Sequence, residues 1–305
     1  MSGTSGKSAR SVKARLLRLA KERGEDFQLL LVRYANERLL YRLSVSSYRE
    51  QFVLKGASLF VLWSGKPHRP TRDLDLLGFG DPGEARIRRI FGEIAAIPAT
   101  DDGIEFDRGS LEVGPIREDQ DYGGVRAVML AHLDTARIRV QVDIGFGDAM
   151  TPDAENVELP ALLDAPPPKI RIYSRETVVA EKLEAMVRLG LVNSRMKDFY
   201  DLAFLSRNFS FEGGLLVQAV RATFERRGTP LPDTLPEALG PSFYEDTGKQ
   251  RQWAGFLKKS GLDGEPGLPS VIAEITGFVR PLIEAAKGTG KTWIARWRAG
   301  GPWRF

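Results

Sequence analysis

Asp73 and Asp75 lie one residue apart in the stretch Thr71-Arg72-Asp73-Leu74-Asp75-Leu76-Leu77. In an extended strand side chains alternate faces, so both carboxylates project from one side while Leu74 and Leu76 enter the core. Carboxylates held side by side repel and raise each other's pKa, and a fold keeps them together when a cation or a proton is shared. The blander reading is an acidic strand end with two solvated aspartates, and Asp-x-Asp by itself does not decide between them. Upstream, Gly56-Ala57-Ser58 follows the apolar run Phe52-Val53-Leu54 and leads into a helix expected to begin near Ser58. Small residues and backbone amides at a helix start make a cradle for phosphate. A cradle followed by a paired-carboxylate strand suits metal-assisted nucleotide chemistry, in which a metal bridges carboxylates and triphosphate oxygens.

Composition narrows the chemistry. Among 305 residues there is no cysteine and there are two histidines, His68 and His132. Disulfides and thiolate metal sites are excluded, and a histidine-built zinc site or histidine-centred triad has little to draw on. A metal here has to use oxygen ligands, which favours Mg²⁺ or Mn²⁺. The formal charge of +4 permits a nucleic-acid partner without demanding one. No apolar run reaches the roughly 18 residues of a membrane span, and the basic N-terminus has no apolar stretch behind it. No membrane association is expected, and the expected location is cytoplasmic.

The elements that must position these residues are legible in outline, over three expected regions. Residues 1–45 read as a polar, disordered start up to about residue 10, then two helices, one from Ser11 and one over Phe27 to about Arg42. The basic face of the first helix, Lys13, Arg15, Arg18, Lys21 and Arg23, either meets solvent or meets nucleic-acid phosphates. Residues 46–165 alternate strand-like and helix-like patterns, as in an α/β core. Within it, Gly83 to Ala96 reads as a helix, and Leu111–Val113 and Arg126–Leu133 as strands. The strictly alternating Arg137-Ile138-Arg139-Val140-Gln141-Val142-Asp143-Ile144 puts Asp143 on the polar face. Asp143 is therefore the natural third carboxylate if its strand neighbours the Asp-x-Asp strand, with Asp148 beyond it as the fallback. Pro166-Pro167-Pro168 marks a rigid crossing into residues 166–305, a helical region. Its first helix, capped by Ser174, carries Lys182 on the same side as Val178 and Met186, either snorkelling past the core edge or aimed into a cleft. The next, over Arg195 to Leu202, places Asp198 and Asp201 on one face with Arg195, where a local Arg195–Asp198 ion pair is the plain alternative.

Three stretches invite misreading. Gly78-Phe79-Gly80-Asp81-Pro82-Gly83 matches a dinucleotide fingerprint, with Asp102 further on, but the charge of Asp73, Asp75 and Asp81 opposes a pyrophosphate there. Gly288-Thr289-Gly290-Lys291-Thr292 echoes the end of a P-loop but lacks the first glycine and a preceding strand. The tail from Trp293 to Phe305 interleaves Trp293, Trp297 and Trp303 with arginines, a pattern that stacks on unpaired bases or packs on the protein itself.

Gly56, Ser58, Asp73 and Asp75 together resemble the signature of polymerase-β-like nucleotidyltransferases. With Val142-Asp143-Ile144-Gly145, Glu181-Lys182-Leu183-Glu184-Ala185 and Arg195-Met196-Lys197-Asp198-Phe199-Tyr200-Asp201-Leu202, the order is similar to that of AbiEii/AbiGii-type nucleotidyltransferase toxins, over about residues 10 to 285. The resemblance implies an α+β fold: a polymerase-β-like mixed-sheet core with N-terminal helices and a helical C-terminal lobe. It implies a toxin of a bacterial toxin–antitoxin or abortive-infection (phage-defence) system, neutralised by a cognate antitoxin. Some members move a nucleotide, preferably a pyrimidine, from an NTP to the 3′ acceptor end of tRNA, which blocks aminoacylation. On this reading Asp73, Asp75 and Asp143 bind Mg²⁺ or Mn²⁺, with Asp143 also a candidate base. Gly56 and Ser58 hold the triphosphate, and Lys182, oriented by Asp198 or Asp201, neutralises it. This chain has Gly56-Ala57-Ser58 where many members have two glycines before Ser or Thr. Nucleotidylation of a protein, and a nucleotide-binding scaffold without turnover, are the two other readings.

Overall fold

A computed structural model describes residues 3–99, 101–116, 124–288 and 293–305. The P-loop-like run thus lies outside the described residues except for Gly288. The chain forms two compact units, residues 1–147 with 155–172, and residues 148–154 with 173–305.

The first unit contains α1 (Gly3–Arg23), α2 (Phe27–Ser44), β1 (Phe52–Lys55), α3 (Leu59–Ser64), β2 (Asp73–Gly78) and α4 (Glu84–Ala96). It continues through β3 (Glu105–Pro115), β4 (Val125–Leu133), β5 (Ala136–Phe146), β6 (Glu155–Glu158) and β7 (Lys169–Ile172). Among the described residues these strands make one mixed sheet in the order β3-β4-β5-β2-β1-β7-β6. β2 is central, parallel to β5 on one side and antiparallel to β1 on the other. α1, α2 and α4 pack against the sheet, and the alternation of β4 and β5 buries Ala127, Met129, Ile138, Val140, Val142 and Ile144. α1 begins at Gly3, earlier than the expected Ser11. Tertiary contact overrides a weak local pattern there: Ala9 is buried, Ser8 Oγ donates to the Asp101 carbonyl, and Gly103, at φ 68°, lies so close that a Cβ would sit 2.8 Å from the Ala9 Cα. The basic face of α1 partly meets acidic partners: Lys13 pairs with Asp134 at 3.2 Å, and Arg15 with Asp164.

The second unit contains α5 (Arg175–Leu189), α6 (Met196–Asn208), β8 (Phe211–Glu212), α7 (Gly213–Arg226), α8 (Pro241–Tyr244), α9 (Thr247–Ser260), α10 (Leu268–Lys287), β9 (Arg296–Trp297) and β10 (Trp303–Arg304). Ser174 caps α5 by accepting from the Thr177 amide at 3.1 Å, as its position before the helix implies. The tail tryptophans pack on the protein. Trp297 and Trp303 meet Phe278, and their indole N–H groups donate to the carbonyls of Ser206 and Phe278 at 2.7 and 2.8 Å. Among the described residues no helix is long and apolar enough to cross a membrane.

A dry ion pair ties α2 to the segment before β3. Arg42 Nη1 donates to Asp102 Oδ2 at 2.7 Å, Asp102 Oδ1 accepts from the Ile104 amide at 3.0 Å, and Tyr34 donates its hydroxyl to the Asp102 carbonyl at 2.8 Å. Asp102, the acid that a dinucleotide reading would place on a ribose, is buried with Arg42, which removes it from that role. Asp102→Ala would leave a guanidinium uncompensated in the core, and urea unfolding is expected to show a loss of roughly 3–5 kcal/mol.

Candidate functional site

The acidic site is built on the middle of the sheet. Asp73 and Asp75 sit on β2 with partly exposed side chains, while the intervening Leu74 and the following Leu76 are buried. The β2–β5 register sets Asp75 beside Asp143, and Asp73 beside Gln141. Asp143 is in turn opposite Arg126 on β4, and Asp75 opposite Lys55 on β1. Residues paired across strands project to the same face. One row across four strands therefore reads Arg126, Asp143, Asp75, Lys55, two carboxylates flanked by two cations.

Gly56 closes over this row at the end of β1. Its φ is 77°, and a Cβ on it would fall 2.0 Å from Asp75 Oδ2. Two constraints, a left-handed backbone and contact with a carboxylate, therefore require glycine. Ala57 is buried, so the alanine at this place in the motif is a core position. Ser58 stands before α3 in helical conformation, and its hydroxyl makes no capping bond to that helix.

Asp143 is engaged as well as close. Arg126 Nε and Nη2 donate to its two oxygens, each at 2.7 Å, and Gln141 Nε2 lies 3.3 and 3.4 Å from them. Arg139 Nη1 donates to Gln141 Oε1 at 2.8 Å, which turns the Gln141 amide N–H₂ toward Asp143. The donor set suits a hard cation that binds through one or two carboxylates and completes its shell with water and substrate phosphate. Among the described residues no group of three or more acidic or histidine side chains is arranged to hold a metal by itself. Asp75 and Asp143 are thus register partners, with Asp73 two residues along the same strand as Asp75, and the three do not form a ready-made three-carboxylate cage.

In the second unit Lys182 neither snorkels nor faces open water. Its Nζ lies 2.6 Å from Asp198 Oδ1 and 2.8 Å from Asp201 Oδ2, with 14% of its side chain exposed. Both aspartates hold the lysine, so the choice between them is not exclusive. Arg195 Nε donates to the other Asp198 oxygen at 2.7 Å, which is the local pair expected as the plain alternative, now part of a larger cluster. Burial works to raise the Asp198 carboxyl, but Lys182 and then Arg195 outweigh it and hold the group below its ordinary value of 3.8.

Asp148, the fallback third carboxylate, belongs to a different cluster of the second unit. Arg227 reaches Asp148 at 2.9 Å, Glu184 at 2.7 Å and Glu181 at 3.3 Å, and Thr229 donates to Glu184 at 2.7 Å. Burial opposes charge on Arg227, yet Glu181 and Asp148 together keep its pKa above the ordinary arginine value. Sequence reasoning passed over Lys55, Arg126 and Arg227. Only Lys55 had a local signal, its place next to Gly56-Ala57-Ser58; the other two act through partners far along the chain.

The family model for "Nucleotidyl transferase AbiEii toxin, Type IV TA system" matches residues 38–276. Among solved structures, a protein from H. pylori provisionally described as a nucleotidyltransferase superposes at TM-score 0.50 with 15% identity, covering 86% of this chain and 97% of that one. JHP933 from Helicobacter pylori superposes at 0.47, also at 15% identity, covering 84% and 94%. At such identity the first of these likenesses speaks to the fold. Comparison with curated proteins gave no significant match.

Gly56→Ala is expected to cost at least ~1–2 kcal/mol in urea unfolding, from the φ and the clash together. In that background Asp75→Gly should recover the part due to the clash, a coupling that a double-mutant cycle measures. A carboxyl held below its ordinary pKa stabilises the fold above that pH and loses the contribution as pH falls through the folded-state value. Acid unfolding followed by circular dichroism should therefore steepen below about pH 4. Asp198→Asn should flatten that region while lowering stability at neutral pH, where Lys182 loses one of its two anions.

Proposed function

Because this chain belongs to the AbiEii family of nucleotidyltransferase toxins, we propose that it moves a nucleoside monophosphate from an NTP, pyrimidine by preference, to the 3′ acceptor end of tRNA in a Mg²⁺-dependent reaction that stops translation. That it is a nucleotidyltransferase and a toxin–antitoxin protein follows from the family, and membership implies a cognate antitoxin as partner. The observation that supports cation-assisted transfer is the Asp75–Asp143 register, with Asp73 on the same strand and the Gly56 backbone against Asp75; the tRNA acceptor and the pyrimidine preference rest on the family resemblance.

In the reaction the acceptor hydroxyl oxygen bonds to the α-phosphorus as the bond to the β-phosphate oxygen breaks, and pyrophosphate leaves. Asp73 and Asp75 would hold the cation, which when bound screens the phosphate oxygens and stabilises charge on the leaving pyrophosphate. Asp143 is assigned as third ligand of that cation and as the candidate base for the attacking hydroxyl. The Ser58 hydroxyl and the Gly56 amide are assigned to the β- and γ-phosphates, where hydroxyl and amide donors match anionic oxygens. The family resemblance assigns Lys182 to the triphosphate, and Asp198 and Asp201, at 2.6 and 2.8 Å, hold its ammonium within the second unit.

Expression of the wild-type chain in bacteria should arrest growth, and the purified protein should transfer label from α-³²P-NTP to a species destroyed by ribonuclease and not by protease. Asp75→Ala should abolish both arrest and transfer. Label that resists ribonuclease and yields to protease would make a protein the acceptor. Sequencing RNA 3′ ends after brief expression identifies acceptor and base together, as an untemplated addition.

A further inference from the structure

At one end of the acidic row Arg126 forks both oxygens of Asp143 at 2.7 Å from a side chain only 34% exposed. A bidentate guanidinium–carboxylate pair is among the stronger polar contacts, and the Gln141 amide adds a further donor on the same oxygens. The carboxylate so held is also the one that a divalent cation bound at Asp73 and Asp75 would meet next.

A Mg²⁺-class ion bonds carboxylate oxygen at roughly 2.0–2.1 Å with strict octahedral geometry. At the Asp143 oxygens it meets a guanidinium in contact with both and the Gln141 amide beside them, so that like-charge repulsion and crowding of the remaining lone pairs set the ion against Arg126. In the cation-free protein, by contrast, Asp143 and Asp75 side by side need positive charge, and Arg126 provides it. We propose that Arg126 and the divalent cation compete for Asp143. Arg126 holds the carboxylate while the site is empty of metal and releases it on loading, so that the Arg126–Asp143 pair sets the affinity for the ion. Gln141, itself oriented by Arg139, keeps Asp143 aimed when the guanidinium leaves. The inference rests on the cation-binding reading of Asp73 and Asp75 given above.

The test uses Mn²⁺ alone, without nucleotide, with the full chain and the free-Mn²⁺ electron paramagnetic resonance signal as readout. Arg126→Gln should bind Mn²⁺ about tenfold tighter than wild type, the equivalent of ~1.4 kcal/mol. In an Asp143→Asn background the same substitution should change affinity by less than about twofold, since the contested ligand is gone. In chelator, Arg126→Gln should melt below wild type and regain the difference on adding Mn²⁺, which a purely structural arginine would not do. Should the glutamine variant fail to fold, Arg126→Lys keeps the charge without the fork and is expected to tighten binding by a smaller factor. No tightening, or equal tightening with and without Asp143, overturns the competition, the second result reducing Arg126 to general charge. Asp75→Asn separates the two levels. If it abolishes Mn²⁺ binding while Arg126 variants leave it unchanged, only the competition fails. If it changes nothing, or wild type takes up no Mn²⁺, the cation reading of the site fails with it.

Discussion

Negative charge gathered at the centre of a sheet is the constraint around which the first unit is arranged. Unit charges 4 Å apart interact by about 4 kcal/mol at the effective dielectric of a protein surface. Asp75 and Asp143 on adjacent parallel strands therefore need compensation before any substrate arrives. The strand order provides it. β2 and β5 carry the acids, and the strands outside them, β1 and β4, carry Lys55 and Arg126 in the same register row. A shift of one residue in any of these pairings would turn the charge to the apolar side of the sheet, so the row also fixes the register.

The second unit handles charge differently, by burying most of it in clusters. Lys182 meets Asp198 and Asp201, and Arg195 meets Asp198. Arg227 collects Asp148, Glu181 and Glu184 between α5 and the segment after α7. Losing Lys182 or Arg227 would leave buried carboxylates uncompensated; the first cluster joins the consecutive helices α5 and α6, and the second joins elements further apart. They hold the helices in a single arrangement, and they fix Lys182 to a degree that a solvated lysine on a helix face does not reach.

How much of this could be read from residues alone follows from the range of each interaction. The period of two in Asp73-Leu74-Asp75-Leu76 and in Ile138-Val140-Val142-Ile144 is local, and by itself it assigns the faces that the strands show. The Ser174 cap and the Asp198–Arg195 pair are local too. What escaped is non-local: a charged residue in a strand or helix reads as solvated until its partner is found elsewhere in the chain. Arg126 reads only as the start of a strand, Asp102 as the acid after a dinucleotide-like run, and Asp148 as a fallback ligand, yet each is held by a residue that no periodicity connects to it. Gly56 was legible as a small residue near phosphate, but its contact with Asp75 depends on β1 and β2 being paired.

The small sheet of the second unit is stitched from segments made at very different times. β8 pairs with β9 through Phe211 and Trp297, and β9 with β10 through Trp297 and Trp303. The aromatic cluster of Phe211, Phe278, Trp297 and Trp303 is therefore complete only when residues 296–304 have folded back onto α10 and β8. Loss of Trp297 would uncover Phe278 and unpair β8 at one stroke.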